Sequence, residues 1–127
     1  MTLVPPHEHA HVTGAIEQIA AHEPEADQIL RESVVVLYEH VPGVQSVAVA
    51  FRENGVLAPG PIAGEPIGDE PAVRAPVLYD GRPVAELWIA GGGDPDARDQ
   101  ALLTRICELL SPYCLVGWDT GGEAWEP

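Results

Sequence analysis

The sequence predicts an α+β fold, an antiparallel sheet with the N- and C-terminal helices packed on one of its faces. Three observations predict it. Two consecutive segments carry apolar residues at helical spacing, two strand-like pairs are each joined by a tight-turn dipeptide, and a capped helical segment follows near the C-terminus. With 127 residues and 46 % apolar composition, one domain with an ordinary core is expected, without disulfide staples.

The opening "MTLVPPHEHAH", residues 1–11, reads as a flexible segment ahead of the domain. Val12, Ala15, Ile16, Ile19 and Ala20 then recur at helical period until Pro24 breaks the pattern. A second period, through Ala26, Ile29, Leu30, Val34, Leu37 and Val41, stops at Pro42-Gly43, the punctuation expected after a helix C-terminus. Within it "SVVVLY" could pass for a strand, but the flanking periodicity favours helix. In "VQSVAVAFRE", Val47, Val49 and Phe51 alternate with Ala48 and Ala50, which predicts a strand. Asn54-Gly55 supplies a hairpin turn, and the short "VLAP" completes the pair. The proline- and glycine-rich "GPIAGEPIGDEP", residues 60–71, reads as a loop, a shortened crossover rather than a binding segment.

In "AVRAPVLYDGRPVAELWIA", Asp80-Gly81 suits a two-residue type I′ turn. Pairing Tyr79 with Arg82 sets Val77 opposite Val84, Ala75 opposite Glu86 and Val73 opposite Trp88 on one face. Leu78, Ala85, Leu87 and Ile89 then form the aliphatic face that helices would cover. Asp94 is the expected N-cap of the last helix, with Pro95 at its first position. Its two apolar stripes, one through Leu102, Ile106 and Leu109 and one through Leu103, Cys107 and Leu110, imply contact with both the sheet and another helix. Pro112 is expected to kink or end it near Ser111, so that the domain spans 12–116 and 117–127 form an acidic tail, with Trp118 and Trp125 as possible anchors.

Six basic against 20 acidic side chains leave a formal charge of −14, which disfavours nucleic acid and anionic membrane surfaces as partners. There is no signal-peptide pattern and no apolar run near the ~20 residues of a membrane span, so a cytoplasmic protein is expected. Cys107 and Cys114 stand seven apart in one helical pattern, roughly 10 Å along the axis, beyond disulfide reach. Both are expected to be reduced packing residues. His7, His9 and His11 at period two would share one side of a strand, as a metal site could use, but a proline-led terminal segment offers no rigid surround. No metal or cofactor is therefore expected, and no phosphate-binding glycine loop or nucleophile elbow is present. His22 and His40 fall at the ends of the first two helical patterns, where the helix dipole favours them.

The order of elements resembles a GAF domain, and most specifically the free-standing GAF proteins that reduce free methionine-R-sulfoxide. Their "LVLGPFQG" resembles "VLAPGPIAG" here, with Gly60, Pro61 and Gly64 matching. Their "VPI..DGRLIGVLDIDS", followed by "F..ED...L..I...L", resembles "APVLYDGRPVAELWIAGGGDPDARDQALLTRICELL", so that residues 26–116 are covered in order. The resemblance implies a truncated GAF-like sheet. The block that carries the family's catalytic cysteines is reduced to "EPIGDEP", and Trp88 and Ala90 stand where the acids of "LDID" would be.

Glu86 and Trp88, on one face with Val73, Ala75 and Tyr79, are the candidate ligand-binding residues. On such a face Glu86 would contact a ligand, pair with Arg82 or Arg52, or stay in water. Ile16, Ile19, Leu103 and Leu110 are the candidate contacts of a homodimer formed through the first and last helices. The favoured function is a non-catalytic GAF-like domain for small-molecule sensing or protein interaction. The alternatives are a methionine-R-sulfoxide reductase-like enzyme with relocated thiols, and a pure assembly module without ligand.

Overall fold

The computed structural model describes residues 3–53, 55–66 and 73–119, with the backbone alone at 59 and 115–119. A 3-10 turn, Pro6–Glu8, leads into α1 (His9–His22) and α2 (Ala26–His40). Two hairpins follow, β1 (Val44–Glu53) with β2 (Val56–Gly64) and β3 (Val73–Tyr79) with β4 (Arg82–Gly91), and then α3 (Ala97–Asp119). The strands form one antiparallel sheet in the order β2-β1-β4-β3. α2 lies against β1 and β2, α3 lies against β3 and β4, and α1 packs on both helices. One face of the sheet is therefore covered and the other left open.

Both N-terminal helices end where expected, at His22 and His40, and each histidine donates from Nδ1 to the carbonyl four residues back, Gln18 and Val36. The "SVVVLY" run is helix, because Ser33, Val34 and Leu37 join Ile29 and Leu30 on one buried face. The N-terminal segment differs from expectation. Leu3 and Val4 are fully buried and α1 begins three residues before Val12, because the backbone N–H groups of Leu3 (2.6 Å) and Val4 (3.1 Å) donate to the Asp99 carboxylate. His9 Nε2 also donates to the Val4 carbonyl at 2.8 Å. From residue 3 onward this stretch is a strap on the domain and not a flexible lead.

Asp99 also explains how α3 starts. The N-cap is Asp96 and not Asp94: Asp96 Oδ1 accepts the Asp99 N–H at 2.8 Å, and Asp99 Oδ2 accepts the Asp96 N–H at 3.0 Å. This is a capping box with aspartate in place of glutamate. At the other end α3 runs through Pro112 to Asp119 instead of stopping near Ser111. Pro112 has no N–H for the Glu108 carbonyl, and the Ser111 hydroxyl donates to that oxygen instead, at 3.1 Å. The fully buried Leu110 and Cys114, on either side of the proline, hold the helix on the core. The remaining tail, 120–127, and the Trp118 and Trp125 side chains lie outside the described residues.

Glu53 pairs directly with Val56, which leaves a two-residue turn as expected, although Asn54 itself lies outside the described residues. β2 is longer than "VLAP", however, since Gly60 to Gly64 continue the strand and the connection begins only at Glu65. Gly60 and Pro61 together oppose Val49, forming a bulge between Ala48 and Ala50. A Cβ at Gly60 would collide with the Val49 carbonyl oxygen and come within 2.7 Å of the Phe51 ring. Gly60→Ala is expected to cost about 2 kcal/mol, measurable by urea unfolding, because a backbone atom cannot move aside cheaply. Pro59 and Pro61 on one edge strand and Pro76 on the other remove ladder donors from both sheet edges.

The second hairpin carries the main correction. Asp80 (φ 54°) and Gly81 (φ 79°) form the expected turn, and Tyr79 pairs with Arg82. Beyond Leu78↔Pro83 the register slips by one, so that Val77 opposes Ala85, Ala75 opposes Leu87 and Val73 opposes Ile89. Val84 is the extra residue. The slip puts the apolar alternates of both strands on the covered face, which a continuous register could not do. Leu78, expected on that face, is 49 % exposed.

Candidate functional site

The open face is built from alternate residues of three strands. On β1, Val47 and Val49 point into the core, so Ala48, Ala50 and Arg52 point out. On β4 the outward residues are Glu86 and Trp88, opposite Ala50 and Ala48 on one side and Pro76 and Arg74 on the other. The two alanines leave a depression that the Trp88 ring and the Ile62 side chain flank. The resulting cleft of about 400 Å³ is lined by Ala48, Ala50, Leu57, Ile62, Pro66 and Trp88. Its size and apolar lining suit a small molecule.

Charged groups gather beside Trp88. Glu86 Oε1 accepts from Trp88 Nε1 at 2.8 Å and from Arg74 at 2.8 Å (Nε) and 2.7 Å (Nη2), while Arg52 Nη2 lies 3.5 Å from Oε2. Arg74 also stands over the Trp88 ring, 5.6 Å from its centroid. Burial alone would raise the Glu86 pKa, but the Trp88 hydrogen bond and the two guanidinium groups more than offset this and hold it below the usual carboxylate value. Glu86 thus stays ionised and orients the indole and Arg74.

Of the five expected ligand-binding residues, only Glu86 and Trp88 come together. The register slip turns Val73, 9 % exposed, and Ala75 towards α3, where the Ala75 carbonyl lies 4.0 Å from Cys107 Sγ. Tyr79 is 42 % exposed at the hairpin end, away from the cleft lining. The expected pairing of Glu86 with Arg52 is present; that with Arg82 is replaced by Arg74. The expected dimer residues are mostly core: Ile16 and Leu110 are fully buried and Leu103 nearly so, leaving only Ile19 partly exposed. Their apolar arc is used up within the chain by the sheet and by neighbouring helices.

Both cysteines lie on α3, across the sheet from the cleft. Burial pushes each thiol up to about 12, with the Glu108 carboxylate adding to the effect at Cys107 and Cys107 adding to it at Cys114. The histidines separate as well: on a helix, period two does not align them. His9 binds the strap, His11 lies 5.1 Å from the His40 ring and His7 is near Glu8. Among the described residues no group of three His, Cys, Asp or Glu side chains could hold a metal ion, and no helix is long and apolar enough to cross a membrane.

Sequence reasoning missed Ile62 and Pro66, because β2 was expected to end at Pro59, before them; it placed Leu57 on that strand without assigning it to a site, and it missed Arg74 through the slipped register. The outward Ala48 and Ala50 were legible as one face of an alternating strand. Their meaning, floor rather than filler, needed Trp88 beside them.

An antiparallel sheet with all its helices on one face and an apolar cleft on the other is the arrangement of a GAF-like domain. No family model and no curated protein matches the chain. Solved structures do. A free methionine-R-sulfoxide reductase of Staphylococcus aureus, in complex with its substrate, superposes with a TM-score of 0.73 at 14 % identity over 89 % of this chain and 99 % of that one. A type II free methionine-R-sulfoxide reductase from Thermoplasma acidophilum gives 0.62 at 18 % identity, over 79 % and 96 % of the two chains. A protein described as a GAF sensor from Burkholderia vietnamiensis gives 0.65 at 12 % identity, over 96 % and 99 %. At these identities the likeness is one of fold, and the fold is GAF-like.

Proposed function

We propose that this chain is a non-catalytic GAF-like module that senses a small molecule in the cleft over β1, β2 and β4. One observation carries the reading: the chain has two cysteines, and both are buried on the covered side of the sheet with thiols raised to about 12. Thiol-based reduction requires a thiolate at the substrate and an accessible second thiol to resolve the intermediate. Neither thiol meets the first requirement, whereas the cleft, its alanine floor and the Trp88 wall need no reactive group to hold a ligand. Two unpaired cysteines also suit the reducing cytoplasm, which we include in the proposal.

The test is an assay of free methionine-R-sulfoxide reduction with dithiothreitol as reductant, run on the protein and on its Cys107→Ala/Cys114→Ala variant. No turnover above the buffer blank is expected from either. Turnover by the native protein that disappears in the double variant would overturn the reading in favour of an enzyme with relocated thiols.

Homodimerisation remains part of the proposal through a different surface. The flank of α1 and α2 leaves Ile19 and Val36 only partly covered and Val35 43 % exposed, so this flank, and not Leu103 or Leu110, is where a second copy would pack.

A further inference from the structure

We propose that the ligand of the cleft is a small monocarboxylate, with its apolar body over Ala48 and Ala50 and its carboxylate on Arg52. This names the ligand class of the cleft and rests on the reading of that cleft as a ligand site.

The cleft lining is apolar, and Arg52 stands next to it on β1. Ala48, Ala50 and Arg52 are successive outward residues of β1, so the Arg52 Cα stands about 7 Å beyond that of Ala50 along the strand, and its guanidinium reaches Glu86, the residue paired with Ala50. Leu57, which lines the cleft, pairs with Arg52 across the β1–β2 ladder. A ligand lying along the alanine floor between Trp88 and Ile62 therefore points one end at Arg52.

Arg52 is under-used. Its Nε is buried and has no hydrogen-bond partner among the described residues, and its ion pair with Glu86 is long, at 3.5 Å. Arg74, by contrast, is spent: it makes two short contacts to Glu86 Oε1 and stands over the Trp88 ring. A buried donor without an acceptor is destabilising, and a guanidinium has the fork geometry to take both oxygens of a carboxylate. An oxygen anion entering beside Glu86 would give this guanidinium an acceptor.

Charge selects the class of anion. Among the described residues two guanidinium groups face one carboxylate beside the apolar cleft, a surplus of one positive charge in a chain whose formal charge is −14. One negative charge is balanced there. A dianionic phosphate ester would leave a charge uncompensated against the acidic field of the whole molecule. Glu86 is a positioning residue in this arrangement, since it fixes Arg74 and the Trp88 indole and leaves Arg52 for the ligand.

The experiment is a ¹⁵N-resolved NMR titration with 3-phenylpropionate and with its neutral amide, 3-phenylpropionamide, following the backbone amides of Ala48 and Ala50 and the Trp88 indole N–H. Both compounds are expected to shift these signals, the acid binding about tenfold more tightly. Arg52→Gln is expected to abolish that difference and leave the amide's affinity unchanged, with Arg52→Lys restoring part of the preference for the acid. Equal affinity for acid and amide in the native protein would overturn the carboxylate assignment and leave the cleft standing as a ligand site. Failure of both compounds to shift the cleft signals at millimolar concentration would overturn the cleft reading itself, and the assignment with it.

Discussion

Asp99→Ala is expected to lower the stability of the domain by about 3 kcal/mol, which at roughly 4 °C per kcal/mol is a fall of about 12 °C in Tm. The carboxylate is fully buried and accepts backbone N–H groups from three residues, Leu3, Val4 and Asp96, with His9 a further 3.4 Å from Oδ1. Alanine leaves those donors without an acceptor, removes half of the capping box of α3 and releases the strap that covers part of the core. Thermal unfolding followed by circular dichroism measures the loss. A fall of less than about 1 kcal/mol would mean that water replaces the carboxylate without cost. The pH dependence has a definite sign. Burial would raise the Asp99 pKa, but the backbone hydrogen bonds from Leu3, Asp96 and Val4, with the nearby His9, bring it below the ordinary value. A depressed folded-state pKa means that the stabilisation is fully present above the unfolded value of about 3.9 and is lost as pH falls through the folded value. Native protein should therefore lose stability below about pH 4 more steeply than Asp99→Asn, which has no charge to lose there.

The parts of this fold that were legible in the sequence are those set by local chemistry. Helical period located α1 and α2, the Pro24 and Pro42-Gly43 breaks ended them, and Asp80-Gly81 specified its turn. The parts that were not legible depend on groups far apart in the chain. Asp94, Asp96 and Asp99 all resemble caps in sequence; Asp96 and Asp99 form the box, and Asp99 is further held by Leu3 and Val4 from the other end of the chain. Pro112 is a helix breaker by propensity, and burial of Leu110 and Cys114 outweighs it. The slipped register in the second hairpin is a different case, because its signal was present. Val73, Ala75 and Val77 alternate with Arg74 and Pro76, while Ala85, Leu87 and Ile89 alternate with Glu86 and Trp88, and a two-residue turn between Tyr79 and Arg82 puts those sets out of phase. Burying both requires one extra residue, which Val84 supplies.

That single residue decides the candidate site. With a continuous ladder Glu86 would sit among valines with no cation in reach from β3; with the bulge, Arg74 stands opposite Trp88 and the salt-bridged cluster forms. Glu86 and Trp88 were visible as an outward pair on β4 from alternation alone. The cleft was not, since Gly60, Ile62 and Gly64 of its lining come from the part of β2 read as a loop. Prolines in "VLAPGPIAG" argue against a central strand but are compatible with an edge, and β2 is an edge.

Leu110→Ala is expected to destabilise the monomer by about 3 kcal/mol without changing its association state. On the helix alone Leu110 belongs to an apolar stripe with Leu103 and Cys107, as suited to a dimer seam as to a core. In the fold it is 0 % exposed and packed in the cluster that joins α3 to the sheet, so that truncation opens a cavity that the neighbouring strands can close only in part. An interface residue would behave in the opposite way: its truncation would weaken association, and the loss of stability would grow as the protein is diluted. Urea unfolding at two protein concentrations a hundredfold apart, paired with sedimentation velocity, separates the two. The expected result is a lower midpoint by the same amount at both concentrations with an unchanged sedimentation coefficient. Val35→Ala, at an α2 position that is 43 % exposed, should by contrast change monomer stability by less than about 0.5 kcal/mol. If Leu110→Ala instead left a folded protein that sedimented more slowly than the native one, α3 would be a seam between copies, and the packing of its apolar arc within one chain would have to be abandoned.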